Sequence, residues 1–397
     1  MQCRVCDGSR LSLAIDLGKQ PRANQFLSYE ELGKEPYYPL RVVHCHDCQT
    51  AQLDHTIQKE EVNANHTYLS GVTRSLQNHF ADVADEVDRR FFAHVPRKSC
   101  LDIGSNDGTQ LLCYKKLGYD VLGVDPAHLP VQIALQQGVP TLEAFFNLEL
   151  AQEMHCTFDV INAAGVFFHL EELHSVTEGI HKCLKSDGVF VVQFIYVKAM
   201  MDNVAFDQIY HEHLLYYSLK TVNCLLQRHG LELFDARFAS IHGGSIIGFA
   251  GHRGKRSISD RLVALQQAEE ASGCNEIDAY YRFAQNMKAL KEDNLRFIEA
   301  QKRANKRLFG LGAPVKGNTL LNYFGIGPDI LEVLVEKNPL RNGMFSPGKH
   351  IPIIMEEAVK THPNIYYVLA WNFRSELLKN YAPLIAQGVL LHFPVIA

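Results

Sequence analysis

The chain of 397 residues is longer than one hydrophobic core usually serves, so roughly two to three domains are expected. Apolar residues make up 47% and charged residues 21%, as in an ordinary globular protein, and the net charge of −5 speaks against a dedicated nucleic-acid binder, which needs surplus Lys and Arg to displace counterions. No stretch approaches the roughly 18 to 20 consecutive apolar residues of a membrane span, and the N-terminus lacks a basic region followed by an apolar one, so a soluble cytoplasmic protein with no membrane or nucleic-acid partner is expected.

The first feature in chain order is chemical. Cys3-x-x-Cys6 and Cys45-x-x-Cys48 repeat one internal spacing. Each pair can hold a tetrahedral metal from a tight turn, and two pairs close a four-cysteine shell suited to structural Zn2+. A closed shell leaves no position for substrate, so its task is to fold and place the N-terminal segment. Two unrelated turns with buried thiols, or a redox pair, are the alternatives. Six further cysteines, Cys100, Cys113, Cys156, Cys183, Cys224 and Cys274, lie in apolar or helical contexts and are expected as reduced core thiols.

Before residue 60 the strand-like run is Tyr38 to Val43. Apolar residues then recur at helical spacing from Leu76 to Phe92, and Ser99 to Thr109 reads as strand, glycine-rich turn and helix start. Strand-like runs follow at Tyr119 to Asp125, Phe158 to Ala163 and Gly188 to Tyr196. Strands alternating with helical segments mean a doubly wound parallel sheet. A polar helical stretch from about Ser257 to Arg307 reads as a connector, after which Leu308 to Gly317 repeats the strand, turn and helix pattern. Apolar runs recur at Leu331 to Val335, Ile365 to Ala370 and Val389 to Phe393. The expected fold class is α/β, with a zinc-binding module over residues 1–65, a Rossmann-like domain over 66–255 and a second Rossmann-like domain over 256–397.

In Leu101-Asp-Ile-Gly104-Ser105-Asn106-Asp-Gly108 the glycines sit where backbone must approach a ligand. Asp125, followed by Pro126, ends the next strand and is placed to accept hydrogen bonds from ribose hydroxyls. The turn and the acid do not by themselves separate a dinucleotide from S-adenosylmethionine. Absence of G-x-G-x-x-G favours the latter, which has no pyrophosphate to seat on a helix N-terminus. Asn162 and Ala163, closing the following strand, are expected to flank the adenine or the methionine portion. A glycine turn that only permits tight helix packing is the plain alternative.

The densest cluster of ionisable side chains is Asp207-Gln-Ile-Tyr210-His211-Glu212-His213-Leu-Leu-Tyr216-Tyr217-Ser218, after the last parallel strand of the first sheet. Loops at strand carboxyl ends build active sites, and Ser218 is a good N-cap for a helix running to about His229, with Gly230 beyond it. Histidine beside carboxylate can act as a general base near neutral pH, and Tyr hydroxyls can stabilise a growing oxyanion, a pairing suited to proton abstraction next to a carbonyl. An H-E-x-x-H zinc motif from His211 fails at Leu215. A solvated polar loop is the alternative, and His169 taken alone reads as a core-edge histidine.

Taken together, the zinc module, the Gly-Ser-Asn-Asp-Gly turn, Tyr-His-Glu-His, His242-Gly-Gly-Ser245, Lys316-Gly-Asn-Thr-Leu-Leu-Asn322 and Ser346-Pro-Gly-x-His350-Ile-Pro352 resemble the S-adenosylmethionine-dependent sugar C-methyltransferases that act on nucleotide-linked keto-deoxyhexoses. The resemblance covers essentially the whole chain and implies a class I methyltransferase domain between the zinc module and the second Rossmann-like domain. It implies methylation at C-3 of a nucleotide-linked 4-keto sugar, with S-adenosylmethionine as donor and Zn2+ as a structural ion. By motif match His213 is the base, Tyr210, Glu212 and His169 lie close to the sugar, and Tyr68 comes from the N-terminal side. Two positions depart from the family pattern: Gln193 stands where an acid is expected, and the C-terminal turn reads Gly-Leu-Gly-Ala-Pro-Val-Lys-Gly.

Three rivals remain at this level. One is methyl transfer to a sugar oxygen or nitrogen. Another is an NAD(P)-dependent nucleotide-sugar oxidoreductase using the C-terminal turn, for which Glu336 is the candidate ribose acid. The third is a non-enzymatic nucleotide-sugar or partner-binding module. A monomer or weak homodimer is expected.

Overall fold

The computed structural model describes residues 1–58 and 69–395. Strands β1 (Leu11–Pro21), β2 (Tyr37–Cys45) and β3 (Ala51–Leu53) form an antiparallel sheet on the zinc module. The sequence pattern showed β2 but not β1, because register shifts at Leu13/Ile15 and Asp16/Lys19 break the two-residue alternation on which a strand is read.

Helix α1 (Arg74–Val87) buries Leu76, Phe80, Val83, Ala84 and Val87, the face its apolar spacing predicts. The sheet that follows holds β4 (Lys98–Ile103), β5 (Tyr119–Asp125), β6 (Thr141–Glu143), β7 (Phe158–Ala164) and β8 (Leu184–Ile195), all parallel, with α2 (Thr109–Lys116) after β4. Both faces of β7 and most of β8 are buried, which is why these two read as continuous apolar runs. A two-residue strand, β9 (Leu215–Tyr216), leaves this unit and pairs with β3 of the zinc module. Helix α3 (Leu219–Arg228) begins where Ser218 Oγ accepts from the Thr221 amide and ends before Gly230, at φ 72°. Strands β10 (Leu231–Ala239) and β11 (Ser245–His252) complete the order β10-β11-β8-β7-β4-β5-β6, with β11 antiparallel to β8.

The expected connector is two helices, α4 (Asp260–Ser272) and α5 (Ile277–Arg303). It is more than a tether. Tyr280, Phe283 and Met287 of α5 are buried in the same apolar cluster as Ala14, Ile15 and Leu17 of β1, and His44 Nε2–H donates to the Asn275 carbonyl at 2.8 Å. Beyond it come β12 (Leu308–Leu311), α6 (Val315–Phe324), β13 (Leu334–Glu336), β14 (Ile353–Met355), β15 (Ile365–Val368) and β16 (Leu390–His392). These strands form a second parallel sheet in the order β14-β13-β12-β15-β16.

The three units share one contiguous core, in which Val5, Leu40, Phe194, Phe206, Phe324 and Trp371 all take part. Fixed relative placement follows, since separating any unit would expose part of that apolar surface. Cysteine burial departs from expectation at three positions: Cys156 is exposed, and Cys113 and Cys224 are only partly buried. Among the described residues no helix is long and apolar enough to cross a membrane.

Candidate active site and metal centre

The two C-x-x-C turns meet. Backbone bonds from Cys3 N to Gly8 O and from Gln49 N to Cys45 O close them, with Asp7 and Gln49 in left-handed conformation at φ 61° and 65°. The Sγ atoms of Cys3, Cys6, Cys45 and Cys48 all lie within 4.8 Å of one another, with Cys3 to Cys48 at 3.5 Å and Cys6 to Cys45 at 3.6 Å. A tetrahedral zinc with Zn–S bonds of about 2.3 Å would space its sulfurs at about 3.8 Å, and a disulfide at about 2.05 Å, so the four thiols fit the ion and not a bridge.

At the first sheet, Gly104 N donates to Val124 O at 2.8 Å and turns the chain at φ 70°. A Cβ there would stand 2.5 Å from Val166 Cγ2, so only glycine lets the turn after β4 pack against the loop after β7. Asn106 follows at φ 51°, and its amide donates to Asp125 Oδ2 at 2.9 Å, while Ala127 N donates to Oδ1 at 2.8 Å. Asp125 thus braces the turn as well as ending β5. Asp102, buried next to it, is pushed well above the usual carboxylate range by burial and then by the Asp125 charge. From the N-terminal side, Ser70 N donates to Asn106 Oδ1 at 2.9 Å and Gly71 N to Asp107 Oδ2 at 2.7 Å, so a short turn covers the glycine loop.

S-adenosylmethionine suits this cradle. Ser105 Oγ is buried without a hydrogen-bond partner among the described residues, and a Cβ on Gly165, at the carboxyl end of β7, would meet nothing within 4 Å. Gly104, Ser105, Asn106, Gly108, Asp125 and Pro126 lie together on the turn and the neighbouring strand end. Asn162 is turned away: its amide donates to Cys100 Sγ at 3.1 Å, its Oδ1 accepts from Tyr114 O–H at 3.2 Å, and it is fully buried, as is Ala163. Both support β7 from beneath the strand end.

The ionisable cluster is pinned from two sides. Leu214 N donates to Phe168 O at 2.7 Å, Leu53 N donates to Leu214 O at 2.9 Å, and β9 pairs with β3, so the loop is held between the turn after β7 and the edge of the zinc-module sheet. His213 Nδ1 lies 2.7 Å from the Gln208 carbonyl. A carbonyl only accepts, so Nδ1 carries the proton and Nε2 keeps its lone pair. Around this imidazole stand Tyr210, with ring centroids 3.8 Å apart, Phe168 at 4.6 Å and His169 at 5.0 Å. His169 Nδ1–H donates to the Glu212 carbonyl at 2.6 Å. Burial, followed by the charge of His169, holds His213 well below the usual histidine range, so it is neutral and able to take a proton. Glu212 faces the zinc module instead. Burial lifts its carboxyl to about 7, against the opposing effects of the Arg22 charge and an Asn24 hydrogen bond. His211 is 3% exposed and packs edge-on to Tyr38, with burial lowering it to about 4. Tyr68 lies outside the described residues.

The C-terminal domain supplies groups that the sequence reading missed. Trp371 is fully buried, and its Nε1–H donates to Asp207 Oδ2 at 2.7 Å. Lys316, at the start of α6, places Nζ 3.5 Å above the centroid of the same indole. Gly243 makes room for that ring, since a Cβ there would approach Trp371 Cη2 to 2.4 Å. His242 adopts φ 55°, and its carbonyl accepts from Gln208 Nε2 at 2.8 Å. Beside the indole opens a cleft of about 410 Å³, lined by Ser75, Asn203, Gly243, Trp371 and Arg374 among others. Gln193, the departure on β8, accepts from His79 Nε2–H at 2.6 Å. The one signal that could have pointed to Trp371 is that the chain has a single Trp. Arg22 and Asn24 carried none, because nothing local ties them to Glu212.

Glu336, the ribose acid of the oxidoreductase reading, is otherwise engaged. Its Oε2 accepts from Ala313 N at 2.9 Å and Arg341 Nη1 at 3.3 Å, and its Oε1 from Lys337 N at 2.7 Å and Asn338 N at 3.1 Å. The carboxylate holds the C-terminal glycine turn together.

Three family profiles tile the chain: a zinc binding domain over residues 3–62, a methyltransferase domain over 76–236 and a C-methyltransferase C-terminal domain over 240–395. The chain is 30% identical over 400 residues to the C-methyltransferase NovU of Streptomyces niveus, an alignment covering 99% of this chain and 95% of that protein. Among solved structures, an S-adenosylmethionine-dependent methyltransferase from Clostridium acetobutylicum is 14% identical, covering 49% of this chain and 96% of its own, with a TM-score of 0.37. Magnesium protoporphyrin IX methyltransferase from Synechocystis, with bound S-adenosylmethionine, is 14% identical over 47% of this chain and 86% of its own, with a TM-score of 0.35. Neither score carries weight in the assignment. With a C-methyltransferase matched end to end and the profiles falling on the thiol cluster, the first sheet and the C-terminal sheet, the chain belongs to the S-adenosylmethionine-dependent C-methyltransferase family that bears an N-terminal zinc-binding domain.

Proposed function

We propose that the protein methylates C-3 of a nucleotide-linked 4-keto-deoxyhexose in the making of a branched-chain deoxysugar, with His213 as the base. The observation that carries this reading is the tautomer of His213: Nδ1–H is spent on the Gln208 carbonyl, which leaves a buried, neutral Nε2 lone pair beside Tyr210 and His169. A C–H next to a ketone is acidic enough for such a base only if the carbonyl oxygen's growing charge is met at the same moment. Tyr210 brings a hydroxyl-bearing side chain against the base, and Glu212, with its carboxyl lifted to about 7, can hold a proton beside the loop. The Gly104 to Gly108 turn and Asp125 would hold S-adenosylmethionine, which when bound would supply an electrophilic methyl carbon. The zinc cluster has a closed shell and acts through the β3 and β9 pairing, not on the substrate. The sugar, its nucleotide and the C-3 position rest on the motif resemblance. None of the ten cysteines is in a disulfide, four forming the metal cluster and six remaining as thiols, in keeping with a cytoplasmic setting.

The test is incubation with a panel of nucleotide-linked 4-keto-6-deoxyhexoses and S-adenosylmethionine, read by mass. A gain of one methyl on one member is expected. Without the cofactor, the same sugar in deuterated water should exchange its C-3 hydrogen. Methylation without any such exchange would point to oxygen or nitrogen as the acceptor.

A further inference from the structure

We propose that Lys316, delivered by the C-terminal domain, is a catalytic group of the methyl transfer, its ammonium meeting the negative oxygen of the enolate formed when His213 deprotonates the sugar. The proposal rests on the proton-abstraction reading above and adds to it the oxyanion's partner. Lys316 is 8% exposed, and its Nζ has no hydrogen-bond partner among the described residues. Its contact is the face of Trp371, at 3.5 Å from the centroid. Asp207 is fully buried, and the amine does not bond to it: its Oδ2 accepts from Trp371, and its Oδ1, like Lys316 Nζ, has no hydrogen-bond partner among the described residues. A lysine kept for packing would leave its amine in water, and one kept for an ion pair would touch its acid. Here the amine is desolvated and without a hydrogen-bond acceptor, the state of a group whose acceptor arrives with the substrate.

The placement identifies the acceptor. Asp207 opens the loop that ends in His213: Trp371, which carries the Lys316 amine on its face, donates to Asp207 Oδ2, the Gln208 carbonyl next to it takes His213 Nδ1–H, and Gln208 Nε2 donates to the His242 carbonyl. The titratable groups whose charge bears on the amine are Asp207, His213 and His242, burial raising the Asp207 carboxyl and lowering both imidazoles. A buried base and a buried cation tied to the two ends of one loop match a reaction that removes a proton from carbon and gathers charge on the adjoining oxygen. A solvent-linked diphosphate, with its several charged oxygens, would call for more than one donor at a more open place.

The step balances as follows. The C–H bond breaks, its proton goes to His213 Nε2, and its electron pair becomes the enolate π bond while the ketone pair moves to oxygen. Lys316 N–H donates to that oxygen without transferring its proton. As the carbon forms its bond to the methyl and the C–S bond of the sulfonium breaks, the carbonyl is restored, the sulfur becomes a neutral thioether, and the proton on His213 leaves to solvent.

The test compares wild type, Lys316→Met and Lys316→Arg on whichever panel sugar wild type methylates, with S-adenosylmethionine binding by calorimetry as the folding control. The expected result for Lys316→Met is a kcat loss of about 10²- to 10³-fold with KM little changed and C-3 deuterium exchange lost in parallel, and partial recovery in Lys316→Arg. Burial lowers the amine to about 8, so wild-type kcat should fall above that pH as the ammonium is lost. This measurement needs no variant, and a wild-type profile flat through that range overturns the proposal. A raised KM with unchanged kcat also overturns it and assigns the amine to the diphosphate. Wild-type activity in Lys316→Met removes the Lys316 role alone, whereas a wild type that neither exchanges nor methylates any panel sugar brings down the underlying reading as well.

Discussion

At the scale of single residues, the molecule sets ionisation states by burial more than by pairing. His213 is held neutral by desolvation and by His169, so the acid-side loss of kcat that it governs should lie below pH 6.5. His213→Ala should lower turnover by about 10²- to 10⁴-fold while S-adenosylmethionine binding survives; retained turnover would place the base elsewhere. Glu212 shows the same cause with the opposite sign. Its folded value of about 7 exceeds the ordinary 4.5, so between these the folded state holds a proton that the unfolded state has released. Stability from this group is therefore lost as pH rises through that window. Glu212→Gln cannot ionise, and its melting temperature should gain on wild type from about pH 4.5 to about 7 and stay level beyond. A difference independent of pH would sink this account of Glu212.

Between elements, the informative contact is the Trp371 indole wedged against the His242-Gly-Gly-Ser245 turn. Trp371→Phe deletes the donor to Asp207, which leaves a buried acceptor unmet at a cost of about 1–3 kcal/mol by denaturant unfolding, and the smaller ring adds the cost of a cavity. Gly243→Ala should cost a similar amount, since Gly243 sits at φ 84° and an added Cβ would stand 2.4 Å from the ring. Because the chain has one Trp, its fluorescence reports this place alone, and Gly243→Ala should shift the emission to the red as the ring is displaced into a wetter setting. An unchanged spectrum with unchanged stability would mean that the contact is not tight. The β3 and β9 pairing is the other decisive link, short as it is, because it fixes the loop from two residues beyond His213.

For the whole molecule, the zinc module works as a clamp. It pairs with the His213 loop through β3 and presents Arg22 and Asn24 to Glu212. It also reaches the C-terminal domain through Glu35 to His350 at 2.6 Å, the Leu27 and Phe345 bridge, and Asn318 Nδ2 donating to Ala23 O at 2.7 Å. Four thiolates without their ion would repel and open the turns. Stripping zinc with a chelator should therefore abolish turnover while S-adenosylmethionine affinity is largely kept, since the Gly104 turn is built on β4 and β5 and not on the clamp. Full turnover after demonstrated loss of zinc would show the module to be dispensable.

What the amino-acid order determined alone is whatever depends on neighbours along the chain. The spacing of Cys3, Cys6, Cys45 and Cys48, the glycine turn with Asp125 after it, the Ser218 cap and the alternation of strands with helices are all local, so they could be read and the structure brings them into being. Tertiary packing decided the rest. No spacing could show that Asn162 points into the core, that bulged β1 is a strand, that Glu336 is consumed by its own turn, or that Lys316 and Trp371 arrive beside Asp207. Those facts depend on three units closing over one apolar core, and burial there sets which polar groups are left to meet a substrate.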